Sequence, residues 1–252
     1  MPATLHILLF AVAIAASVLI PARVRAPGVP GRVDDAERLG FLAGGRARHA
    51  DAVAAGLLAR GVLAIMGSGR FAAAAHARGR TPAEAAMLAM AGEPRWREIT
   101  RLLRGPAGRI EDGLVASGLL IDRATADALR WRQTAPLLAL TLVNIVAGVP
   151  GVLVAATAAA ALVRWLVVDR RTAAGAEALG EARLRAARLE RAPTADEVDE
   201  AVALFGTGVL IGSAWAGFHD LRRAGDADVA SVGGDGGDGG GCGGGCGGGC
   251  GS

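Results

Sequence analysis

The chain has no lysine and no tyrosine, and its three cysteines all stand in the last eleven residues. All 27 basic residues are therefore arginine. Without lysine there is no GxxxxGK[ST] phosphate loop. HExxH and GxSxG do not occur, nor does GxGxxG outside the terminal glycine tract, so the usual signatures of nucleotide binding, zinc proteolysis, serine hydrolysis and dinucleotide binding are missing. His49, His76 and His219 lie far apart with no serine or cysteine patterned around them, and read as surface or packing histidines. Glu84, Glu93, Glu98, Glu111 and Asp112 are accounted for by helix termini and surface. No catalytic or cofactor-binding residue follows, and the chain reads as a non-enzyme.

Charge is missing from one long stretch. Residues 134–163, TAPLLALTLVNIVAGVPGVLVAATAAAALV, contain no Asp, Glu, Lys, Arg or His. Crossing a bilayer takes about 20 apolar residues over about 30 Å, and a charge-free run of thirty exceeds what one soluble core buries. Gly148, Val149, Pro150 and Gly151 interrupt it, because proline removes a backbone donor and glycine permits a turn. Two helices, 135–149 and 151–168, would reach about 22 and 27 Å at about 1.5 Å per residue, short for a full crossing. Arg123, Arg130 and Arg132 precede the run and Arg164, Arg170 and Arg171 close it. Positive flanks at both ends place both ends in the cytoplasm, as a hairpin. Arg164 is placed to snorkel beside Trp165 at the interface.

Apolar residues make up 52% of the 252, room for one modest domain beside membrane segments. The excess of Ala, Gly and Arg reads as GC-rich coding bias. From 22 to 133 there are 18 Arg against 11 acids, whereas 164–200 is net −1 and 201–252 net −3. The middle domain thus carries the basic character, suited to an anionic membrane surface or nucleic acid.

At the start, 5–20 is an apolar run followed, not preceded, by Arg23, Arg25 and Arg32. That order predicts an uncleaved anchor over 1–21 with the chain inside from Arg23, then a Pro/Gly linker to 32. In the basic helical domain, 33–133, a helix is expected over 46–60 with Gly61 as its stop. Residues 62–66 and 71–75 flank Gly67-Ser68-Gly69 as a β-hairpin. Thr81, Pro82 and Glu84 start a helix that ends by Gly92, and helices follow over 96–103 and 108–117. GLLARGVLA at 56–64 echoes GLVASGLLI at 113–121, so two helix-turn units beside a hairpin resemble a winged-helix arrangement. No helix clusters Arg, Asn and Gln for base reading, which sets nucleic acid aside as partner.

After the hairpin, 134–168, a surface helix is expected over 169–193, with Glu181 and Arg185 spaced for an i,i+4 pair. Thr194 and Glu197 form a capping-box signature ahead of an apolar amphipathic or membrane helix over 194–224. Its Gly208 and Gly212 have the GxxxG spacing that permits self-association in lipid. The remainder, 225–252, is a Gly/Cys-rich tail whose composition predicts disorder. Cys242, Cys246 and Cys250 can converge on one soft ion, Zn²⁺ or Cu(I), with Asp238, His219 or another chain as fourth ligand. Intermolecular disulfides, peptide modification or an inert tail are the other readings.

The order of an N-terminal anchor, LGFLAGGRARHADAVAAGLLARGVLAIMGSGRF, TPAEAAMLAMAG, GLVASGLL, DRRTAAGAEAL, AVALFGTG and a Gly/Cys tail resembles a family of uncharacterised bacterial membrane proteins whose shared domain precedes such a tail. AGVPGVL stands where that family has a GRP-type motif. The resemblance implies topology, a multi-pass inner-membrane protein with its main domain cytoplasmic, and brings no activity. The segments AGLLARGVLA and GLVASGLL are also similar to the helical lipid-binding domain of Golgi phosphoprotein-like proteins, which implies recognition of an anionic headgroup. The expected fold is thus mainly α: a membrane-anchored helical domain, winged-helix-like, with one short β-hairpin, a transmembrane helical hairpin and a disordered tail.

Overall fold

A computed structural model describes residues 3–24, 31–90, 92–166 and 169–231. In chain order the elements are α1 (Ala3–Val24), α2 (Ala36–Ala59), β1 (Leu63–Ile65), β2 (Phe71–Ala73), α3 (Pro82–Leu88), α4 (Trp96–Leu102), α5 (Arg104–Ala116), α6 (Arg123–Val146), α7 (Gly151–Leu166), α8 (Ala173–Arg185), α9 (Val198–Phe205) and α10 (Ala216–Ser231). The fold is mainly helical with one short two-stranded antiparallel sheet. Its elements fall into two compact units, divided between α1 and α2, after Ser117 and after Ala174. One holds α1, α6 and α7; the other holds α2–α5, the hairpin and α8–α10. Among the described residues no helix is long and apolar enough to cross a membrane.

In the first unit the turn between α6 and α7 follows from Gly148. At φ +65° it occupies the left-handed conformation that side chains resist. Its amide then donates to the Ile145 carbonyl at 3.2 Å, and the Val149 amide to that of Asn144 at 3.0 Å. This is the Schellman closure, which pairs carbonyls a helix end leaves open. Pro150, lacking an amide proton, then sits directly ahead of α7. Where the hairpin's outer ends meet, Ile121 and Thr172 donate to Arg170 and Leu119 at 2.8 and 3.1 Å. The α6 helix buries one stripe, Ala126, Leu129, Gln133, Leu137, Leu140 and Asn144, at the three- and four-residue spacing of a single face.

In the second unit α2 is the element the others pack against. It is not one rod. Gly44 and Gly45 leave helical geometry, Gly45 at φ 65° and ψ −152°. His49 nonetheless lies 3.1 Å from Glu37, twelve residues away, where a straight helix would separate them by about 18 Å. The two halves therefore fold back on each other at the LAGG tetrad, and the expected helix from 46 is the second of them. The β1–β2 register pairs Leu63 with Ala73 and Ile65 with Phe71, the expected hairpin. Thr81 caps α3, accepting from the Glu84 amide at 3.1 Å, with Pro82 at the first helical position. Thr194 and Glu197 form their box, and hydrogen bonds from the Thr194 hydroxyl and amide and from Arg188 hold the Glu197 carboxyl down at about 2.

The expected continuous helix over 194–224 is a correction. The chain there forms a 3₁₀ turn, then α9, then a second 3₁₀ turn over Thr207–Leu210, and restarts only at α10. Gly206 at φ +91° ends α9. Gly208 lies in the second 3₁₀ turn and Gly212, at φ +78°, in the bend after it, so they do not share a helix face. The GxxxG reading therefore fails here on geometry. Gly206 instead makes room for Arg48, whose guanidinium donates to the Val202 carbonyl at 3.4 Å, while Arg183 donates to that of Leu204 at 3.2 Å. Two cations thus meet the negative end of α9.

A Cβ at Gly206 would lie 1.8 Å from Arg48 Nη1. Gly206→Ala is expected to lose the backbone cost of a glycine-only conformation, about 1–3 kcal/mol, plus the displaced arginine. In an Arg48→Ala background only the backbone part remains. Equal losses in both backgrounds, measured by urea unfolding of the full chain in detergent, would sink this coupling.

Candidate functional site

Buried polar chemistry gathers in two places, one in each unit. In the second unit His49 is fully buried and Glu37 nearly so. Burial acts to raise the Glu37 carboxyl, but hydrogen bonds from His49 and Thr81 outweigh it and hold the group below its ordinary range. An ionised carboxylate only accepts, so His49 Nε2 carries the proton between them. His49 Nδ1 and Glu37 Oε1 have no partner. Glu37 also lines a cleft of about 200 Å³ with Arg38, Pro82, Arg109, Ile110 and Gly113. The dyad's geometry bridges the two halves of α2 across the Gly44–Gly45 reversal, which gives it a structural task.

The buried carboxylates Asp51, Glu84 and Glu111 of this unit are each paired with an arginine. Arg60 meets Glu84, which also accepts from the Arg80 amide at 2.6 Å. Arg46 reaches Glu111 at 3.2 Å. Arg222 reaches Asp51 at 2.6 Å and lies 4.8 Å above the Trp96 ring, in a cluster with Phe71 and Phe218. Glu84 and Glu111 are thus buried partners, where a surface role was expected for Glu111. His219 engages the Thr207 hydroxyl at 3.1 Å. Among the described residues no group of three or more His, Cys, Asp or Glu is placed to hold a metal. Cys242, Cys246 and Cys250, with Asp238, lie outside the described residues.

The first unit inverts the usual distribution. Of the twenty large hydrophobic side chains exposed among the described residues, sixteen lie on α1, α6 and α7, among them Leu142 at 62%, Val146 at 80% and Val152 at 73%. Its interior is where polarity sits: Ser17, Gln133, Thr134, Asn144 and Thr157 are all buried. Arg164 points into this seam. Its guanidinium donates to Ser17 Oγ at 3.0 Å, the Ser17 carbonyl at 2.9 Å and Gln133 Oε1 at 3.1 Å, and Gln133 Nε2 donates to the Arg164 carbonyl at 2.6 Å. The expectation that Arg164 snorkels outward is corrected by these bonds. Trp165 instead packs edge-on against Trp131 at 4.7 Å, with Arg130 5.8 Å from its ring centre. Further along, Thr141 donates to Thr157 at 3.1 Å, and Asn144 is fully buried with neither side-chain atom paired. No family model, curated protein or solved structure matches this chain.

Sequence reading missed the Glu37–His49 pair because its contact depends on a helix reversal. It missed the inward turn of Arg164 because no acid marks the partner. Ser17 and Gln133 were the available signal, two polar residues each bordering or interrupting an apolar run.

Glu37 has a folded pKa below its unfolded value, so its contribution is complete above the ordinary 4.5 and is lost as pH falls through the lowered value. Glu37→Gln is expected to destabilise the chain by about 1–3 kcal/mol at pH 7 and to flatten the loss below pH about 4.5. Parallel acid profiles of wild type and variant in urea unfolding would remove the dyad's role. Asn144→Leu should raise the melting temperature in detergent, because an unpaired buried amide costs about 1–3 kcal/mol; a lower one means the amide has a partner.

Proposed function

We propose that the chain is a membrane-embedded, non-enzymatic scaffold of the bacterial kind it resembles, its α1–α6–α7 unit held in lipid and its second helical unit on the cytoplasmic face. The observation that carries this is the inverted polarity of the first unit. Water strips apolar side chains from a surface and leaves polar ones there. A three-helix unit with apolar side chains outward and Arg164, Gln133 and Asn144 inward suits a solvent that cannot hydrogen-bond. Contiguous apolar surface on this scale otherwise marks an interaction face.

The hairpin is short for the task. The charge-free parts of α6 and α7, fourteen and thirteen residues, reach about 20 Å against about 30 Å of hydrocarbon. A hairpin that enters one leaflet or thins the bilayer fits those lengths better than two perpendicular crossings. Arginine at both outer ends of the hairpin favours the cytoplasmic side for them. A scaffold role, rather than an enzymatic one, is the reading because the buried carboxylates Asp51, Glu84 and Glu111 of the second unit are consumed in pairing. Within 33–133 the β1–β2 hairpin lies among short helices, as a winged-helix arrangement has it, yet no helix groups base-reading side chains. Binding of anionic lipid by the basic stretch 33–133 is therefore the second reading and nucleic acid the weaker one. Zn²⁺ or Cu(I) chemistry on the tail cysteines is a separate proposal, read by mass spectrometry of the purified chain with and without the metal.

The full chain is expected to pellet with membranes, to stay there through carbonate washing and to leave only with detergent. In a background without tail cysteines, Ser68→Cys and Ser117→Cys should resist an impermeant maleimide in intact cells and react after permeabilisation. Recovery in the high-speed supernatant would end the membrane reading. Labelling from outside would reverse the orientation alone.

A further inference from the structure

A groove of about 300 Å³ runs along the first unit between α6 and α7, lined by Trp131, Thr134, Leu138, Ala158, Leu162 and Trp165. It exists because α7 presents alanines where α6 presents large side chains. Its one hydroxyl is spent, since Thr134 donates to the Arg130 carbonyl of its own helix at 2.8 Å. Apart from the indole N–H groups of Trp131 and Trp165 at one end, the walls offer an occupant no donor. A polar ligand or an extended peptide would lose its solvation there without replacement, whereas an alkyl chain loses none.

One end of the groove is different. Trp131 and Trp165 meet edge-on there, the pairing of amphipathic rings favoured at a membrane interface. Arg130 stands over Trp165, one Nη held by Asp127 at 3.0 Å and its Nε enclosed without a partner. Between Gly118 and Ala174 there are six Arg and three Asp, all outside 134–163. Positive charge is therefore gathered at the ends of the hairpin that bear the tryptophans, and is absent along the rest of the groove.

We infer that this groove is a lipid site: it takes one acyl chain of an anionic phospholipid, whose headgroup phosphate lies at Arg130 beside the tryptophan pair. The site rests on the membrane reading above and adds to it a class of lipid and a location. An apolar slot alone would not choose between lipids; the cation at its aromatic mouth does. Arg130 contributes the preference for negative charge, and the alanines of α7 contribute the space.

The test is native mass spectrometry of the full chain extracted from membranes in mild detergent and exchanged with phosphatidylglycerol or phosphatidylcholine of identical acyl chains. Phosphatidylglycerol should be retained preferentially. Arg130→Gln should lower that preference about fivefold, the effect of one arginine near an anionic surface, without abolishing lipid retention. Ala158→Phe fills the groove from an exposed position and should displace either lipid. Ala159→Phe, an equally exposed neighbour outside the groove lining, places the same burden on the helix and should leave retention unchanged. Equal retention of the two lipids overturns the inference, as does an Ala158→Phe variant that binds like wild type or an Ala159→Phe variant that fails equally. A dimer lost on Ala158→Phe, with no lipid bound, assigns the groove to a second copy instead. All of these leave the membrane reading standing, which falls only if the chain is never found in membranes.

Discussion

A guanidinium cannot lie in an apolar unit without something to accept its protons. Arg164 meets this constraint with Ser17 and Gln133, and the arrangement of α1, α6 and α7 follows from it. Ser17 must come from α1, Gln133 from α6 and Arg164 from α7, so one set of hydrogen bonds fixes three helices at one level. Below that level Ala13, Leu137, Leu140 and Ala161 close the interior with small and medium side chains. Small residues let helices approach, and interhelical hydrogen bonds set their rotation. With polarity turned inward, the remaining faces of these helices are apolar by default.

The second unit is governed by a different device, reversal at glycine. Gly44–Gly45 doubles α2 back on itself, and Gly206 ends α9 so that Arg48, from the second half of α2, can reach α9's last carbonyls. The two features need each other. Arg48 arrives only because α2 has turned, and has room only because residue 206 lacks a Cβ. Glu37 and His49 then hold the reversal shut from within. The turn at LAGG and the end of VALFG, distant in sequence, are linked through Arg48.

What could be read in advance was local. The hairpin around Gly67–Gly69, the Thr81-Pro82-Glu84 start, the Gly61 stop, the Gly148–Gly151 break and the Thr194–Glu197 box each involve residues within a few positions of one another, where backbone preference decides. What escaped was set by distant partners. A charge-free stretch from Ala201 to Phe218 looks like one helix until Gly206 is seen to adopt φ +91° for the sake of an arginine more than 150 residues earlier. Arg164 beside Trp165 looks like an interfacial anchor until Ser17, from the other end of the chain, is found beneath it. Glu111 looks like a surface acid until Arg46 covers it. Spacing rules carry no information about such pairs.

The two units also handle buried charge by different chemistry, and the contrast bears on where each resides. In the second, the buried carboxylates Asp51, Glu84 and Glu111 each have an arginine opposite them, so those charges cancel locally. In the first, the guanidinium turned into the three-helix seam, Arg164, is met by a hydroxyl, a carbonyl and an amide. Those groups solvate the charge and do not neutralise it, so the field of the arginine persists at the end of the unit that already carries Arg130, Arg132, Arg170 and Arg171. A neutral seam with an uncancelled cation at one end gives the unit a polarity along its axis. On the membrane reading proposed above, that axis would orient the hairpin toward a negative cytoplasmic leaflet, with Arg164 reinforcing the other arginines at that end.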